Sequence, residues 1–284
     1  MIWALAIGIT VAAIAGILVY GTRMPERSFQ GIPPPLTSDE IVLCDRLRRH
    51  VHVLATEIGE RNRLCYEALE RARIYIGEQF SRSGLETRDL PYRFQGETFY
   101  NVEVLLEGSE PSLPGVVVGA HYDSVVGSPG ANDNATGVAA LLELARLLAP
   151  HKPARTLRLV AFANEEPPYF NTGEGMGSIE YVRSFPDPHA TFFCMISLET
   201  IGQYSDQRNS QDYPPLVGLF YPDRGDFIAF VGNLRSRNLV RRAVGTFRLG
   251  ASVPSQGAAL PSLIPGVSLS DHRSFWEAGS PPSW

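Results

Sequence analysis

The chain has 284 residues, with 25 lysines and arginines against 30 acidic residues and a net charge of −5. That length admits one large α/β domain or two small ones, with ample apolar content for a core. No polybasic run appears, which argues against nucleic acid as a partner. The cysteines, Cys44, Cys65 and Cys194, show no C-x-x-C spacing, so thiolate zinc sites and redox pairs are disfavoured. A Cys44–Cys65 disulfide stays open, with buried free thiols as the expectation.

Residues Ile2 to Tyr20 carry no charged side chain, and Trp3 and Tyr20 stand at the ends, where interfacial aromatics are favoured. As a helix this stretch rises about 28 Å, close to the hydrocarbon thickness of a bilayer. Residues 1–22 therefore read as a transmembrane signal-anchor, with a cleaved signal peptide as the alternative. Against cleavage, no Lys or Arg precedes the apolar stretch, and no A-x-A site precedes Gly21. The membrane is thus an expected partner through residues 2–20. Arg23 and Arg27 come just after the segment, and the positive-inside rule alone would leave the downstream domain in the cytoplasm. Residues 23–37, rich in Pro and Gly, read as a linker, and 38–284 as the folded domain.

Thr37-Ser-Asp-Glu40 has capping-box spacing and predicts a helix through about residue 56. A second helix is expected over 66–83, with Leu69, Ala72, Ile76 and Phe80 on one face. The period then changes. Strands are expected over 101–106, 116–120, 156–163, 192–198 and 227–231, and helices over 136–148, 177–184 and 233–249. Strands alternating with helices imply an α/β domain whose mixed, mostly parallel sheet has helices on both faces. Residues 202–226 read as a polar loop.

Four segments end expected strands with metal-binding side chains: Gly119-Ala-His121-Tyr-Asp123-Ser, Gly130-Ala-Asn-Asp133-Asn-Ala-Thr-Gly137, Asn164-Glu165-Glu166 and Ser197-Leu-Glu199-Thr. In open α/β sheets, ligands bind beyond the carboxyl ends of strands, where these groups would converge. One imidazole and several carboxylates without cysteine form the N/O set of a hydrolytic zinc site. Each segment alone has a bland alternative, such as a strand-end histidine, a helix-capping aspartate or a solvated Glu-Glu pair. Glu199 is the least easily dismissed, since a charge directly after an apolar strand needs a partner or solvent.

In this order the motifs H-x-D-S, D-N-A-x-G and N-E-E resemble family twenty-eight of the metallopeptidases. That family includes co-catalytic two-zinc aminopeptidases, glutaminyl cyclases and the transferrin-receptor ectodomain. Ser270-Asp271-His272, Phe275, Gly279 and Pro281 match its downstream pattern, so the resemblance covers roughly residues 40–281. It implies a peptide substrate and two zinc ions, with Asp133 bridging, His121 and Glu199 on one ion, and Glu166 on the other. Glu165 would be the general base, and Asp123 would hold the imidazole of His121. Glu199 stands where the family often has Asp. The resemblance also implies a cis Asp133–Asn134 peptide. It places Asp271 and His272 near the site but not among the ligands; His50, His52, His151 and His189 fall on expected helices or loops and read as ordinary surface residues.

The family's last histidine ligand comes from a later segment, so the second ion is expected to lack it here, and the 284-residue form to be weakly active or inactive. Zinc-dependent aminopeptidase activity is the leading expectation. The alternatives are glutaminyl-cyclase-like acyl transfer and an inactive binding domain. Members are mostly exported, which implies a membrane-anchored domain on the periplasmic or extracellular side.

Overall fold

Apolar strands alternating with amphipathic helices build a mixed α/β architecture with a mostly parallel sheet and helices on both of its faces. The computed structural model describes residues 2–170 and 172–278; Gly279, Pro281 and the end at Trp284 lie outside the described residues. The first elements are α1 (Ile2–Thr22), α2 (Ser38–His52), α3 (Tyr66–Arg82), β1 (Thr87–Phe94), β2 (Glu97–Leu106) and β3 (Gly115–His121). There follow α4 (Thr136–Leu148), β4 (Leu157–Phe162), α5 (Gly177–Arg183), α6 (Pro188–Thr191) and β5 (Phe192–Ser197). Last come β6 (Ile228–Asn233), α7 (Arg237–Gly250), β7 (Ser255–Leu260) and α8 (His272–Glu277).

Two compact units share these elements. One is made by the residues up to Pro35 with Gln203–Leu269, the other by Leu36–Gly202 with the residues from Ser270 onward. In the second unit the sheet order is β1-β2-β4-β3-β5. β1, β2 and β4 pair antiparallel, while β3 lies parallel to both β4 and β5. Side chains alternate between the two faces, as a strand demands. Leu159 and Ala161 join α3 and α4 in one core, while Val160 and Phe162 join Tyr181 of α5 and Phe275 of α8 in the other. All four expected helical positions of α3 are buried. The capping box at Thr37 forms, with the Glu40 carboxylate accepting the Thr37 amide at 2.7 Å.

The first unit carries β6 and β7 as a parallel pair, with α7 packed on them. Among the described residues α1 alone is long and apolar enough to cross a membrane.

Four elements, β1, α6, β7 and α8, depart from the sequence expectations. β1 contains Pro91 and five charged or aromatic residues that mask its alternation, a composition tolerated at a sheet edge. It pairs with β2 through a tight turn in which Gln95 (φ 48°) and Gly96 (φ 86°) both take positive φ. β7 (Ser-Gln-Gly-Ala-Ala-Leu) has too little apolar bulk to announce a strand. α8 is too short to show a helical period. The thiols also differ from expectation: all three are free, but only Cys194 is buried.

Candidate metal centre

The site residues belong to the unit formed by Leu36–Gly202 with the residues from Ser270 onward. Three neighbouring parallel strands deliver them at their carboxyl ends. His121 closes β3, Asn164-Glu165-Glu166 follows β4, and Glu199 follows β5. Asp133 lies in the segment between β3 and α4, and its peptide bond to Asn134 is cis.

His121, Asp133 and Glu199 each offer a ligand atom, and these atoms lie within 4.8 Å of one another. His121 Nε2 stands 3.0 Å from Asp133 Oδ1 and 3.4 Å from Glu199 Oε1. One imidazole nitrogen and two carboxylate oxygens so placed fit a divalent zinc-like ion with an open position. Glu165 lies beside the group, its Oε2 3.9 Å from His121 Nε2. Glu166 stands outside it, with Oε1 accepting the Val125 amide at 3.1 Å. Asp123 Oδ1 is 3.4 Å from His121 Nδ1, and the same carboxylate accepts the amides of Glu165 and Glu166.

So many carboxylates in one buried place oppose each other's ionisation. Burial pushes Glu165 up to about 9 and Glu166 up to about 7. Burial likewise raises Asp271 to about 7; its side chain is fully buried. Burial works against a charged His121, but Glu199, Glu165, Asp123 and Asp133 outweigh it and raise the imidazole well above its ordinary value. Asp133 is held below its ordinary value by the hydrogen bond from His121.

The D-N-A-x-G motif has a packing reason. Asn134 is fully buried and donates to Leu198 O at 2.8 Å, while its Oδ1 accepts the amides of Gly137 (3.0 Å) and Thr200 (3.3 Å). A Cβ at residue 137 would fall 2.4 Å from both Asn134 Oδ1 and Leu198 O, so only glycine lets α4 start here. Asn164, at φ 58°, turns the chain after β4 through the left-handed region that asparagine tolerates.

The roles of three residues escaped the sequence reading. Arg61 is fully buried, and its guanidinium donates to the carbonyls of Tyr122, Leu54, Gly59, Pro129 and Gly130. Burial lowers it to about 10, against the opposing pull of Asp123, Asp133 and Glu166. The Ser270 hydroxyl donates to Glu199 Oε2 at 2.9 Å. His50, expected at the surface, is instead buried between Tyr75 Oη (2.7 Å) and Glu143 Oε1 (3.2 Å). His272 packs its ring edge-on against Trp276.

The model of peptidase family M28 matches residues 101–282, more than half of the chain. The protein YfbL of Escherichia coli (strain K12) is 36% identical over 246 residues, covering 84% of this chain and 74% of YfbL. A probable zinc metalloprotease of Pyricularia oryzae is 28% identical over 202 residues, 63% of this chain, and the match spans 38% of that protein's length. The solved structure of BSAP, a zinc aminopeptidase from Bacillus subtilis, shares the fold with a TM-score of 0.61 at 16% identity, covering 84% of each chain. The chain therefore belongs to peptidase family M28 and is a metallopeptidase of the hydrolase class.

Proposed function

We propose that this metallopeptidase is a zinc-dependent aminopeptidase that removes N-terminal residues from peptides, with Glu165 as general base. The observation that carries the reading is the buried Glu165 carboxyl, 3.9 Å from His121 Nε2 and outside the three-residue ligand group. In this reading His121, Asp133 and Glu199 would hold one ion, and Asp133 with Glu166 would hold a second. Zinc there supplies polarisation of the scissile carbonyl and a lowered pKa for the attacking water.

The chain's own groups do the rest. Glu165 accepts the water's proton on its carboxylate and returns it to the departing amine. Asp123 fixes the Glu165 and Glu166 backbone, so two adjacent carboxylates serve different tasks. Asn134 and Ser270 both donate to Glu199 Oε2, at 3.4 and 2.9 Å. α1 anchors the chain in a membrane, residues 23–37 connect it to the peptidase domain, and the domain stands on the outer side.

Hydrolysis of aminoacyl p-nitroanilides by the purified full chain, with zinc content measured on the same sample, tests the reading. Zinc-dependent release from free but not N-acetylated substrates is expected. Glu165→Gln should lower turnover by about 10²–10⁴-fold with zinc content unchanged. Cyclisation of N-terminal glutamine without peptide hydrolysis would replace this reading with acyl transfer.

A further inference from the structure

The chain as a whole is acidic, yet residues 227–269 contain five arginines and no aspartate or glutamate. The arginines are Arg235, Arg237, Arg241, Arg242 and Arg248, spaced along the β6–α7 turn and α7. None of the five forms an ion pair with a carboxylate among the described residues. Helical spacing hides them from a search for basic runs.

Three of them hold the chain as it leaves the apolar helix. Arg237 Nε donates to Tyr20 O at 2.8 Å, and its guanidinium lies over the Tyr20 ring, 3.8 Å from the centroid. Arg241 donates to Arg23 O, and Arg248 Nη1 donates to Pro25 O (2.9 Å) and Glu26 O (2.8 Å). The contacts advance together along both segments, so the start of α7 stands level with the end of α1. β7 confirms the level from the other side. Gly21 sits so close to the strand's end that a Cβ there would lie 2.2 Å from Ala259 O, while Ser28 Oγ accepts the Ser255 amide at its beginning. Leu18 is covered at 7% exposure, whereas Leu5, Ile7, Ile9 and Val11 are bare.

A helix that spans a bilayer has its last turn in the headgroup layer, so everything level with Tyr20 to Arg23 is held there too. At that level the unit shows exposed Leu234 beside exposed Arg235, and the loop directly after β7 carries Leu263 at 85% exposure. Arginine beside exposed leucine is the composition of a surface that meets anionic headgroups and the acyl boundary together.

We propose that this edge, formed by Leu234, Arg235, Arg237, Arg241, Arg242 and Leu263, is a docking surface for anionic phospholipid headgroups of the bilayer in which α1 stands. The proposal rests on the spanning reading of α1. Its consequence is that the arginine-rich unit is pinned to the membrane surface at a second place besides the helix.

The test uses the full chain reconstituted into phosphatidylcholine vesicles with or without phosphatidylglycerol. An environment-sensitive fluorophore is placed at Leu263→Cys, with Cys44 and Cys65 changed to Ser and the buried Cys194 left in place. Quenching by brominated lipid is expected in the anionic vesicles and should fall sharply in neutral ones or at high salt. Arg235→Glu/Arg242→Glu, at the two arginines that hold no backbone carbonyl of the α1 exit, should shift the docked-to-free ratio at least tenfold, at about fivefold per arginine. Arg235→Lys/Arg242→Lys should retain the quenching, which separates lost charge from lost fold. A label indifferent to phosphatidylglycerol, or quenching untouched by the charge reversal, overturns the proposal alone. A chain that washes off carbonate-treated vesicles overturns the spanning reading and the proposal with it.

Discussion

The carboxylate of Asp123 accepts the backbone amide of Glu165 at 3.0 Å, and its other oxygen takes the next amide, that of Glu166, at 3.1 Å. The residue two positions after the β3 histidine therefore positions the loop after β4. Losing that acceptor leaves two buried amides without partners, each costing about 1–3 kcal/mol. Asp123→Ala should lower stability by at least about 2 kcal/mol and zinc affinity about 10–100-fold. Urea titration and competition with a zinc chelator give the two numbers, and unchanged zinc affinity would reject the positioning role.

Gly137→Ala tests the motif that starts α4. In an exposed helix, alanine would be the better residue. Here its Cβ meets Asn134 Oδ1 and Leu198 O, so the sign reverses, with a loss of about 1–3 kcal/mol. A thermal melt showing equal or raised Tm would refute the packing argument.

The metal-free chain should lose stability as pH rises. Glu165 at about 9, and Glu166 and Asp271 at about 7, all stand above their ordinary values because they are buried. A raised carboxyl contributes stability below its unfolded value that is lost as pH climbs through the folded one. His121, also raised, has the same sign. Asp133 is depressed and opposes it only on acidification. The Tm of the chelator-treated chain should fall between about pH 5 and pH 9, and the gain on adding zinc should widen over that range. Differential scanning fluorimetry with and without zinc would show this, and a flat or rising metal-free Tm would contradict it.

Much of this site was legible from sequence because its chemistry sits in short segments at strand ends. His121, Asp133 and Glu199 converge as the alternation of strands and helices implied. Arg61 was not legible, because its partners are five backbone carbonyls, which leave no mark on residue type. Ser270 was read only as a neighbour of Asp271 and His272, although its hydroxyl reaches Glu199. His50 looked superficial because Glu143, its partner, is distant in sequence. β1 and β7 were missed for a related reason: edge position and small residues relax the alternation by which a strand is recognised.

The thiols give an independent check of the fold. Burial pushes Cys194 up to about 12, whereas Cys44 and Cys65 are half-buried. Iodoacetamide at pH 8 should modify Cys44 and Cys65 in the native chain and reach Cys194 only after denaturation. Mass spectrometry of the native adduct settles it, and early modification of Cys194 would contradict the burial of β5.

Arg61 brings a fixed positive charge into a nest of acids without pairing to any of them. Its guanidinium stitches the stretch from Tyr122 to Gly130, which links the histidine strand to the Asp133 loop. That stretch is thus organised by the polypeptide's own hydrogen bonds, and its path past the acids is set by one fixed charge held among carbonyls.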